Sequence, residues 1–442
     1  MGTSIGRGAG RRIASAVGLA MLSAGCGAAH VDGGPAQPQA SASADVADRT
    51  NAPGQTGKPY VVMLSFDGFR HDYLDRWRLP ALEQLAREGA RASVLVPTFP
   101  SKTFPNHYSI ATGLYPGHHG LVGNEMWDPR WNVRFRTSRE TDSRDARWYR
   151  GEPIWVTAEK QGMLTAAFFW PGSEAPIEGV RPTYWKPYDT KVPDSVRVDG
   201  LLGWLALDPA HRPHLLLAYL SDVDDQAHHH DPAGTETHAA AETVDRALAR
   251  LRAGIARLPL ADSVTVVVVS DHGLQPVRAE NTEFLDEYAS LADTVAAVTA
   301  GPYAQLFFGG DRAKTDRAWR ALQKMPHARV WRQGDIPSRL HLRGEPRAGD
   351  VFVLMDAPYL VERHRGPPAA GNDSIFGAHG YDPAVPDMGG VFFAAGPAVR
   401  PGSRLGAVEN VNVYPFVAHV LGLRPAPGID GRLSVMQPIL RR

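Results

Sequence analysis

Cysteine is almost absent from this chain of 442 residues, which contains a single one, Cys26. One cysteine cannot form a disulfide within the chain, so the folded region must be stabilised by core packing and by any bound metal. An excess of one charge is absent as well, because 47 Lys and Arg residues balance 47 Asp and Glu residues. This balance argues against nucleic-acid binding as the main role of the protein.

A long apolar stretch is also missing at the N-terminus, although the pattern there is typical of an export signal. Three arginines precede a mostly apolar run at residues 13–24, which is too short to span a membrane. Cys26 follows in Leu-Ser-Ala-Gly-Cys, which resembles a bacterial lipoprotein cleavage box. We expect residues 1–25 to be a lipoprotein-type signal peptide and Cys26 to be acylated, which would make the protein periplasmic or membrane-anchored. An ordinary signal peptide with an incidental cysteine, and twin-arginine export through Arg11 and Arg12, are the alternatives.

Large apolar side chains are scarce between the export signal and the first apolar strand. Residues 26–58 are rich in Ala, Gly, Ser, Pro and Asp, and such a composition cannot bury enough surface to become ordered. We therefore expect a disordered tether at 26–58 and a single folded domain at 59–442, with an insertion at about 300–370.

Three of the most apolar runs in the chain each lead to an aspartate. Such short Val- and Leu-rich runs are typical of buried parallel strands, and open α/β sheets place their functional residues just beyond the carboxyl ends of these strands. Carboxylate and imidazole together are the ligands that a pair of zinc-like ions requires. The runs and the polar residues that follow them are Tyr60–Phe66 with Asp67, Leu215–Leu220 with Asp224 and His228, and Val264–Ser270 with Asp271 and His272.

Strands and helices alternate through most of the sequence, and this alternation predicts an α/β fold. We expect a mainly parallel central sheet flanked by helices on both faces, with a small inserted lobe. The further predicted elements are helices at 79–91 and 237–258 and strands at 92–96, 164–169, 351–355 and 391–395.

A hydroxyl group lies at the predicted start of another helix. Pro105 suits the first turn of this helix and Gly113 suits its end, so Thr103 is placed at or just before the N-terminus. Free N–H groups and the helix dipole favour an anion there. A hydroxyl in this position beside a metal ion is a candidate nucleophile.

The residue pattern leaves the second histidine pair ambiguous. Asp224 and His228 are four residues apart and share one face of a helical turn, but Asp225 and His229 have the same spacing. Spacing alone does not choose between the pairs. His379 is flanked by small residues that would let its ring approach a crowded site.

Taken together, these segments resemble the nucleotide pyrophosphatase/phosphodiesterases of the alkaline phosphatase superfamily, here as a bacterial member. The resemblance covers about residues 58 to 435 in the order found in the family, and it implies an alkaline phosphatase-like fold. The segments that carry it are Ser65-Phe-Asp67-Gly, Lys102-Thr103-Phe-Pro-Asn-His-Tyr, Gly113-Leu-Tyr-Pro, His119-Gly-Leu-Val-Gly-Asn124, Pro153-Ile-Trp, Phe169-Trp-Pro-Gly, Ser270-Asp271-His272-Gly and His379-Gly-Tyr-Asp.

The resemblance implies a role for each matching residue. Thr103 would be the nucleophile, and Asn124 would bind a phosphate oxygen together with the Thr103 backbone N–H. The family has a tyrosine five residues before its aspartate, as Tyr219 precedes Asp224, and this favours Asp224 over Asp225. The implied ligands are Asp67, Asp271, His272 and the Thr103 oxygen for one Zn²⁺ and Asp224, His228 and His379 for the other, while Phe104, Tyr188 and Tyr219 would contact a nucleotide base or else be plain core and rim aromatics.

The expected activity is hydrolysis of phosphodiester or pyrophosphate bonds in a small-molecule substrate, most simply a nucleotide, through a phospho-threonine intermediate. A phosphomonoesterase, a phosphodiesterase for choline-type head groups, and a non-catalytic binding protein on the same scaffold are the alternatives. Two segments depart from the family pattern. Ser221, Val223 and Ala227 replace Glu, Pro and Gly around Asp224, and Asp382-Pro383 replaces Asp-Asn after His379.

Overall fold

The computed structural model describes residues 49–366 and 374–441. The predicted signal peptide, the anchor at Cys26 and most of the predicted tether lie outside these residues. The strands are β1 (Tyr60–Phe66), β2 (Ala90–Val96), β3 (Glu125–Asp128), β4 (Val133–Arg136), β5 (Thr165–Phe168), β6 (Tyr184–Trp185), β7 (Leu215–Leu220), β8 (Val264–Val269), β9 (Gln275–Val277), β10 (Thr282–Phe284), β11 (Ala296–Thr299), β12 (Tyr303–Phe307), β13 (Ala328–Arg332), β14 (Val351–Met355), β15 (Leu360–Glu362), β16 (Phe376–Ala378), β17 (Phe392–Ala395) and β18 (Ser403–Glu409). The α-helices are α1 (Tyr73–Arg76), α2 (Pro80–Glu88), α3 (Thr103–Thr112), α4 (Pro116–His119), α5 (Glu140–Ser143), α6 (Ile154–Lys160), α7 (Asp194–Leu205), α8 (Asp222–Ala227), α9 (Thr235–Ile255), α10 (Arg312–Leu322), α11 (Val413–Leu421) and α12 (Leu433–Met436).

An eight-stranded sheet forms the centre of the fold, in the order β18-β2-β17-β8-β1-β7-β5-β6. Its neighbouring strands are parallel except at β17, which runs antiparallel to both β2 and β8. The predicted mainly parallel sheet is therefore confirmed. Since β1, β7 and β8 are adjacent and parallel, the residues that follow them meet at one edge of the sheet.

Helices cover both faces of this sheet, as the sequence predicts. Alternate residues of β1 point to opposite faces, so Met63 belongs to one buried cluster and Leu64 to the other. The first cluster includes side chains of α3, α6 and α11, and the second includes side chains of α2, α7 and α9. Burial on both faces explains why β1, β7 and β8 are apolar at almost every position.

A second, antiparallel sheet of four strands, in the order β11-β12-β14-β13, forms the inserted lobe. Helix α10 packs on it, and Leu306, Leu322 and Val353 belong to a buried cluster of its own. This lobe occupies residues 296–355, within and slightly before the insertion predicted at about 300–370.

Element boundaries differ from the sequence prediction by a few residues at most sites. The helix predicted at 79–91 ends at Glu88, and β2 already begins at Ala90. The helix predicted at 237–258 begins two residues earlier and ends at Ile255. Helical periodicity cannot locate these ends, because the residues just outside them also pack against the core.

The chain packs on the sheet before the first strand begins. Asn51 is buried, its side chain donates to the Arg212 carbonyl oxygen at 2.7 Å, and its oxygen accepts from the Leu164 backbone N–H at 2.8 Å. The folded region therefore includes residues 49–58, which composition assigned to the tether, because one buried polar side chain secures a segment that lacks apolar residues. Within the described residues, no helix combines the length and the apolar character needed to cross a bilayer.

Candidate active site

Three side chains that follow β1 and β8 form a buried cluster, which we call the inner group: Asp67, Asp271 and His272. Each offers a ligand atom, and these atoms lie within 4.8 Å of one another. His272 Nε2 lies 3.1 Å from Asp271 Oδ2 and 3.5 Å from Asp67 Oδ1. Asp67 Oδ1 and Asp271 Oδ2 have no hydrogen-bond donor, although both are buried. Buried carboxylate oxygens without a donor are costly unless a cation satisfies them.

Asp224, His228 and His379 form a second cluster, the outer group, with ligand atoms equally close together. Asp224 and His228 lie one turn apart at α8 and its C-cap, with 3.4 Å between Asp224 Oδ2 and His228 Nε2. His379 follows β16 and stacks on His272 with 3.7 Å between ring centroids, so the two groups adjoin. Asp225, the alternative in the sequence, instead accepts a hydrogen bond from Ser221.

All three histidines present the same nitrogen to these clusters. Nδ1 lies near a backbone carbonyl oxygen in each ring, and a carbonyl can only accept, so Nδ1 carries the proton. Nε2 therefore has the free lone pair and is the atom available as a ligand. The acceptors are Gly273 O for His272 at 3.2 Å, Gly377 O for His228 at 3.1 Å and Ser101 O for His379 at 2.9 Å.

Burial and mutual repulsion change the pKa values of these residues. Burial, followed by the charges of Asp271 and Asp224, raises the pKa of Asp67 well above its ordinary value. Burial also raises the pKa of Asp271 and lowers that of His272 to about 3. The His272 imidazole is therefore neutral at pH 7, so it provides no positive charge to balance the carboxylates of Asp67 and Asp271. A divalent cation would supply that charge.

Thr103 is the first residue of α3, as the position of Pro105 predicts. Thr103 Oγ1 lies 3.4 Å from His272 Nε2, so the hydroxyl adjoins the inner group. Gly113 ends the helix in the left-handed conformation with φ 68°, which a residue with a Cβ adopts only at a cost. The N-terminus of α3, where an anion is favoured, thus lies beside the inner group.

His107 and Ser65 also belong to the site, although the sequence argument gave them no role. His107 Nδ1 lies 2.9 Å from the Thr103 carbonyl oxygen and 3.3 Å from Asp271 Oδ2. Its Nε2 lies 2.7 Å from Ser65 Oγ. His107 therefore connects α3, the helix that begins at Thr103, to the inner group. The sequence signal that could have identified His107 is its position four residues after Thr103, which places both residues on one face of the helix.

Lys102 is a second residue that the sequence argument passed over. Burial lowers the pKa of its ammonium group to about 8, while Asp224 acts in the opposite direction. Its side chain lies so close to Gly380 that a Cβ there would be 2.6 Å from Lys102 Cε. A fixed cation thus lies beside the outer group, where no spacing rule would have placed it.

Asn124 and Phe104 meet at the rim of the cleft. The Asn124 side-chain oxygen accepts a hydrogen bond of 2.9 Å from the Phe104 backbone N–H. This bond commits the oxygen, so Nδ2 is the atom of the amide that can donate to a ligand. Both residues border the same cavity as Thr103.

A cleft of about 440 Å³ opens beside Thr103 and the two clusters. Tyr188 is 41% exposed and forms part of its aromatic wall, with Phe169 at 5.2 Å and Tyr219 at 5.7 Å between ring centroids. Tyr219 is arranged differently from Tyr188, because its hydroxyl donates to Asp67 Oδ2. The cleft is also lined by polar residues, namely Thr137, Ser138, Glu140, Ser143, Arg144 and Glu174.

The chain matches the family model described as type I phosphodiesterase / nucleotide pyrophosphatase over residues 61–382. This match covers most of the chain, including both clusters and Thr103. The protein therefore belongs to the type I phosphodiesterase / nucleotide pyrophosphatase family.

Particular relatives agree with this placement. Ectonucleotide pyrophosphatase/phosphodiesterase family member 1 of Mus musculus is 32% identical over 399 residues, which are 88% of this chain and 44% of that protein. Venom phosphodiesterase CdcPDE of Crotalus durissus collilineatus is 31% identical over 407 residues, 89% of this chain and 48% of that protein. The chain thus spans less than half the length of these curated relatives.

The solved structure of murine ectonucleotide pyrophosphatase / phosphodiesterase 5, an inactive threonine-to-alanine variant in complex with AMP, is similar throughout. The TM-score is 0.80 and the identity 28%, with 87% of this chain and 100% of that chain covered. The human protein of the same name gives a TM-score of 0.80.

Proposed function

We propose that this protein hydrolyses phosphodiester or pyrophosphate bonds of nucleotides through a covalent phospho-threonine at Thr103, with one Zn²⁺ in the inner group and one in the outer group. The observation that carries the proposal is the common orientation of the three histidines. Their Nε2 atoms are free in clusters whose three aspartates, Asp67, Asp224 and Asp271, each have one buried carboxylate oxygen without a hydrogen-bond donor.

The two groups suit zinc by their chemistry. Each combines imidazole with carboxylate, and each supplies three protein ligands, which is typical of a zinc site that keeps a position open for substrate or water. Thr103 Oγ1, beside His272, would occupy the open position of the inner group. Magnesium or calcium would instead favour oxygen ligands alone.

In the proposed reaction, the bound zinc ions supply positive charge and Lewis acidity at the phosphoryl group. The residues of the chain do the rest. Thr103 Oγ1, after losing its proton to solvent, attacks phosphorus, and the bond to the leaving oxygen on the opposite side breaks, so that the leaving group departs. The phospho-threonine ester then reacts with a water molecule that enters from the leaving-group side. The bond between phosphorus and Oγ1 breaks, and a proton of that water regenerates the Thr103 hydroxyl. Two inversions leave the configuration at phosphorus retained.

Asn124 and the helix N-terminus would stabilise the charge on the phosphoryl oxygens. Asn124 Nδ2 is the free donor of its amide, and the Thr103 backbone N–H lies in the first turn of α3, where N–H groups have no helical acceptor. Donors fixed in place before the reaction stabilise a transition state without reorganisation.

The cleft supports a nucleotide as the substrate. Tyr188 and Phe104 border the cavity that contains Thr103, and planar aromatic rings of this kind stack on a nucleobase. The neighbour solved with AMP supports the same substrate class. Tyr219 would contribute less to stacking than the sequence resemblance implies, because its hydroxyl is committed to Asp67.

We also propose that the protein is exported and anchored through a lipid on Cys26. The export pattern and the cleavage box support this location. Labelling with a radioactive fatty acid, with Cys26→Ser as the control, tests the anchor directly.

Replacement of the nucleophile tests the proposed mechanism. Thr103→Ala should lower kcat by at least about a thousandfold, because nothing else can form the ester. The variant should retain both zinc ions, measured by elemental analysis. A near wild-type rate in Thr103→Ala would overturn the assignment.

The substrate class is tested by assaying nitrophenyl-thymidine monophosphate, nitrophenyl phosphate and nitrophenyl phosphocholine with the wild-type protein. We expect the highest kcat/KM for the nucleotide ester. A preference for nitrophenyl phosphate would indicate a phosphomonoesterase, and a preference for nitrophenyl phosphocholine a head-group phosphodiesterase.

A further inference from the structure

The segment that carries His379 is attached to the inserted lobe by ion pairs between one buried aspartate and two partly exposed arginines. Asp382, three residues after His379, is 2% exposed. Arg339 donates to both of its carboxylate oxygens, Nη1 to Oδ1 at 2.7 Å and Nη2 to Oδ2 at 2.5 Å. Arg329 of β13 donates to Oδ2 as well, at 3.1 Å. Both arginines belong to the lobe, which the catalytic clusters do not otherwise involve.

The other contacts of this segment show what the ion pair holds in place. Ser101 binds the segment twice, because its hydroxyl donates to the Tyr381 carbonyl oxygen at 2.9 Å and its own carbonyl accepts from His379 Nδ1 at 2.9 Å. The Tyr381 hydroxyl donates to the Tyr359 carbonyl oxygen at 3.0 Å. The backbone just before His379 is also fixed, because β16 pairs with β9 up to Ala378. After His379, the segment is held through Ser101, through Tyr359 and through Asp382, and of these three contacts only that of Asp382 is between charged groups.

Loss of the arginines would leave Asp382 buried without a counter-charge. An uncompensated buried carboxylate is strongly unfavourable, so the segment would shift to expose it to water. His379 would move with the segment, because only two residues separate them. Asp67 and Asp271 lie at the ends of β1 and β8 and have no contact with these arginines.

We propose that Arg329 and Arg339 of the inserted lobe act through Asp382 as positioning residues for His379, and so set the metal affinity of the outer group. The inference rests on the proposed function, since it takes the outer group to bind zinc. It gives the lobe a role that the catalytic clusters alone do not show.

The test is zinc titration of the metal-free protein in competition with a chromophoric chelator. The Arg329→Gln/Arg339→Gln double variant should bind one of two ions about tenfold more weakly, as typical for loss of groups that orient a ligand. Electrostatics alone predict tighter zinc binding in the double variant, because the loss of two positive charges reduces the repulsion of a zinc ion. A weaker site therefore reports lost positioning rather than changed charge.

Arg332→Gln is the matched control. Arg332 also lies on β13 and donates to Asp316 at 2.7 Å, but this ion pair does not involve the segment that carries His379. It should leave both affinities unchanged and report any general effect of a lost ion pair on the lobe.

Two backgrounds identify the affected site. When the arginine double variant is combined with His272→Ala, the remaining outer site should bind zinc more weakly. When it is combined with His379→Ala, the zinc affinity of the remaining inner site should not change. Two ions with unchanged affinities in the double variant, or a loss confined to the inner site, would overturn this inference and leave the proposed function intact. A wild-type protein that binds no zinc would overturn both.

Discussion

The inner and outer groups use the same ligand types but are anchored in different ways. Asp67, Asp271 and His272 follow directly from two core strands, and their side chains are at most 1% exposed. His228 ends a short helix and its side chain is 38% exposed. His379 lies on a segment that ion pairs from the inserted lobe hold in place. The comparison shows that one half of the site is preorganised by the sheet, whereas the other depends on contacts between distant segments.

The largest expected effect separates a histidine of the inner group from one of the outer group. His272→Ala should lower the free energy of unfolding of the metal-free protein by about 3 kcal/mol, because removal of this fully buried ring leaves a cavity in the core. His228→Ala should change it far less, since its side chain is 38% exposed. Urea denaturation after chelation measures both. Equal losses of stability would remove the distinction between the groups.

Tyr219→Phe tests how the inner group is held. The change removes only the hydroxyl that donates to Asp67, so kcat should fall about tenfold, as expected for a lost charge-assisted hydrogen bond, while KM stays within about twofold. Tyr184→Phe is the matched control, because that hydroxyl donates to the His211 carbonyl oxygen at 2.9 Å, remote from the site. A rise in KM without a fall in kcat would instead support base stacking by Tyr219.

A smaller effect is expected at the wall of the cleft. Tyr188→Ala should raise KM for a nucleotide ester about fivefold with kcat unchanged, because an aromatic stack contributes about 1 kcal/mol. Trp131→Ala removes another exposed aromatic that does not border the cleft, and should change neither constant. An unchanged KM in Tyr188→Ala would place the base elsewhere.

The smallest effect concerns the ambiguous pair in the outer group. Asp225→Asn should leave zinc content and kcat within about twofold of wild type, since Asp225 accepts from Ser221 and lies at the surface of α8. Loss of one zinc ion in this variant would show that the register of the outer group is Asp225 with His229.

Local signals in the sequence predicted Asp67, Asp271, His272 and Thr103 as members of one site, while the grouping of ligands came from the family resemblance. Asp67 and Asp271 follow apolar strands, and Thr103 begins a helix marked by Pro105 and Gly113. The sequence patterns typical of strands and helices therefore locate these residues. The central sheet and its covering helices followed from the same alternation of apolar runs.

Other parts of the site depend on contacts that no local pattern contains. Tyr219 lies on β7 and Asp67 after β1, and their hydrogen bond follows from the pairing of these strands rather than from spacing. Arg339 and Asp382 are 43 residues apart and meet only because the lobe folds over the His379 segment. The signal peptide and the lipid anchor stay predictions.

The central claim is that two metal ions occupy two groups of unequal anchoring. Crystals of the wild-type protein, soaked in increasing concentrations of a zinc chelator, can be measured by anomalous diffraction at the zinc edge. The account predicts two peaks, one among Asp67, Asp271 and His272 and one among Asp224, His228 and His379, with the second peak lost first. A single peak, or loss of the inner peak before the outer one, would contradict it.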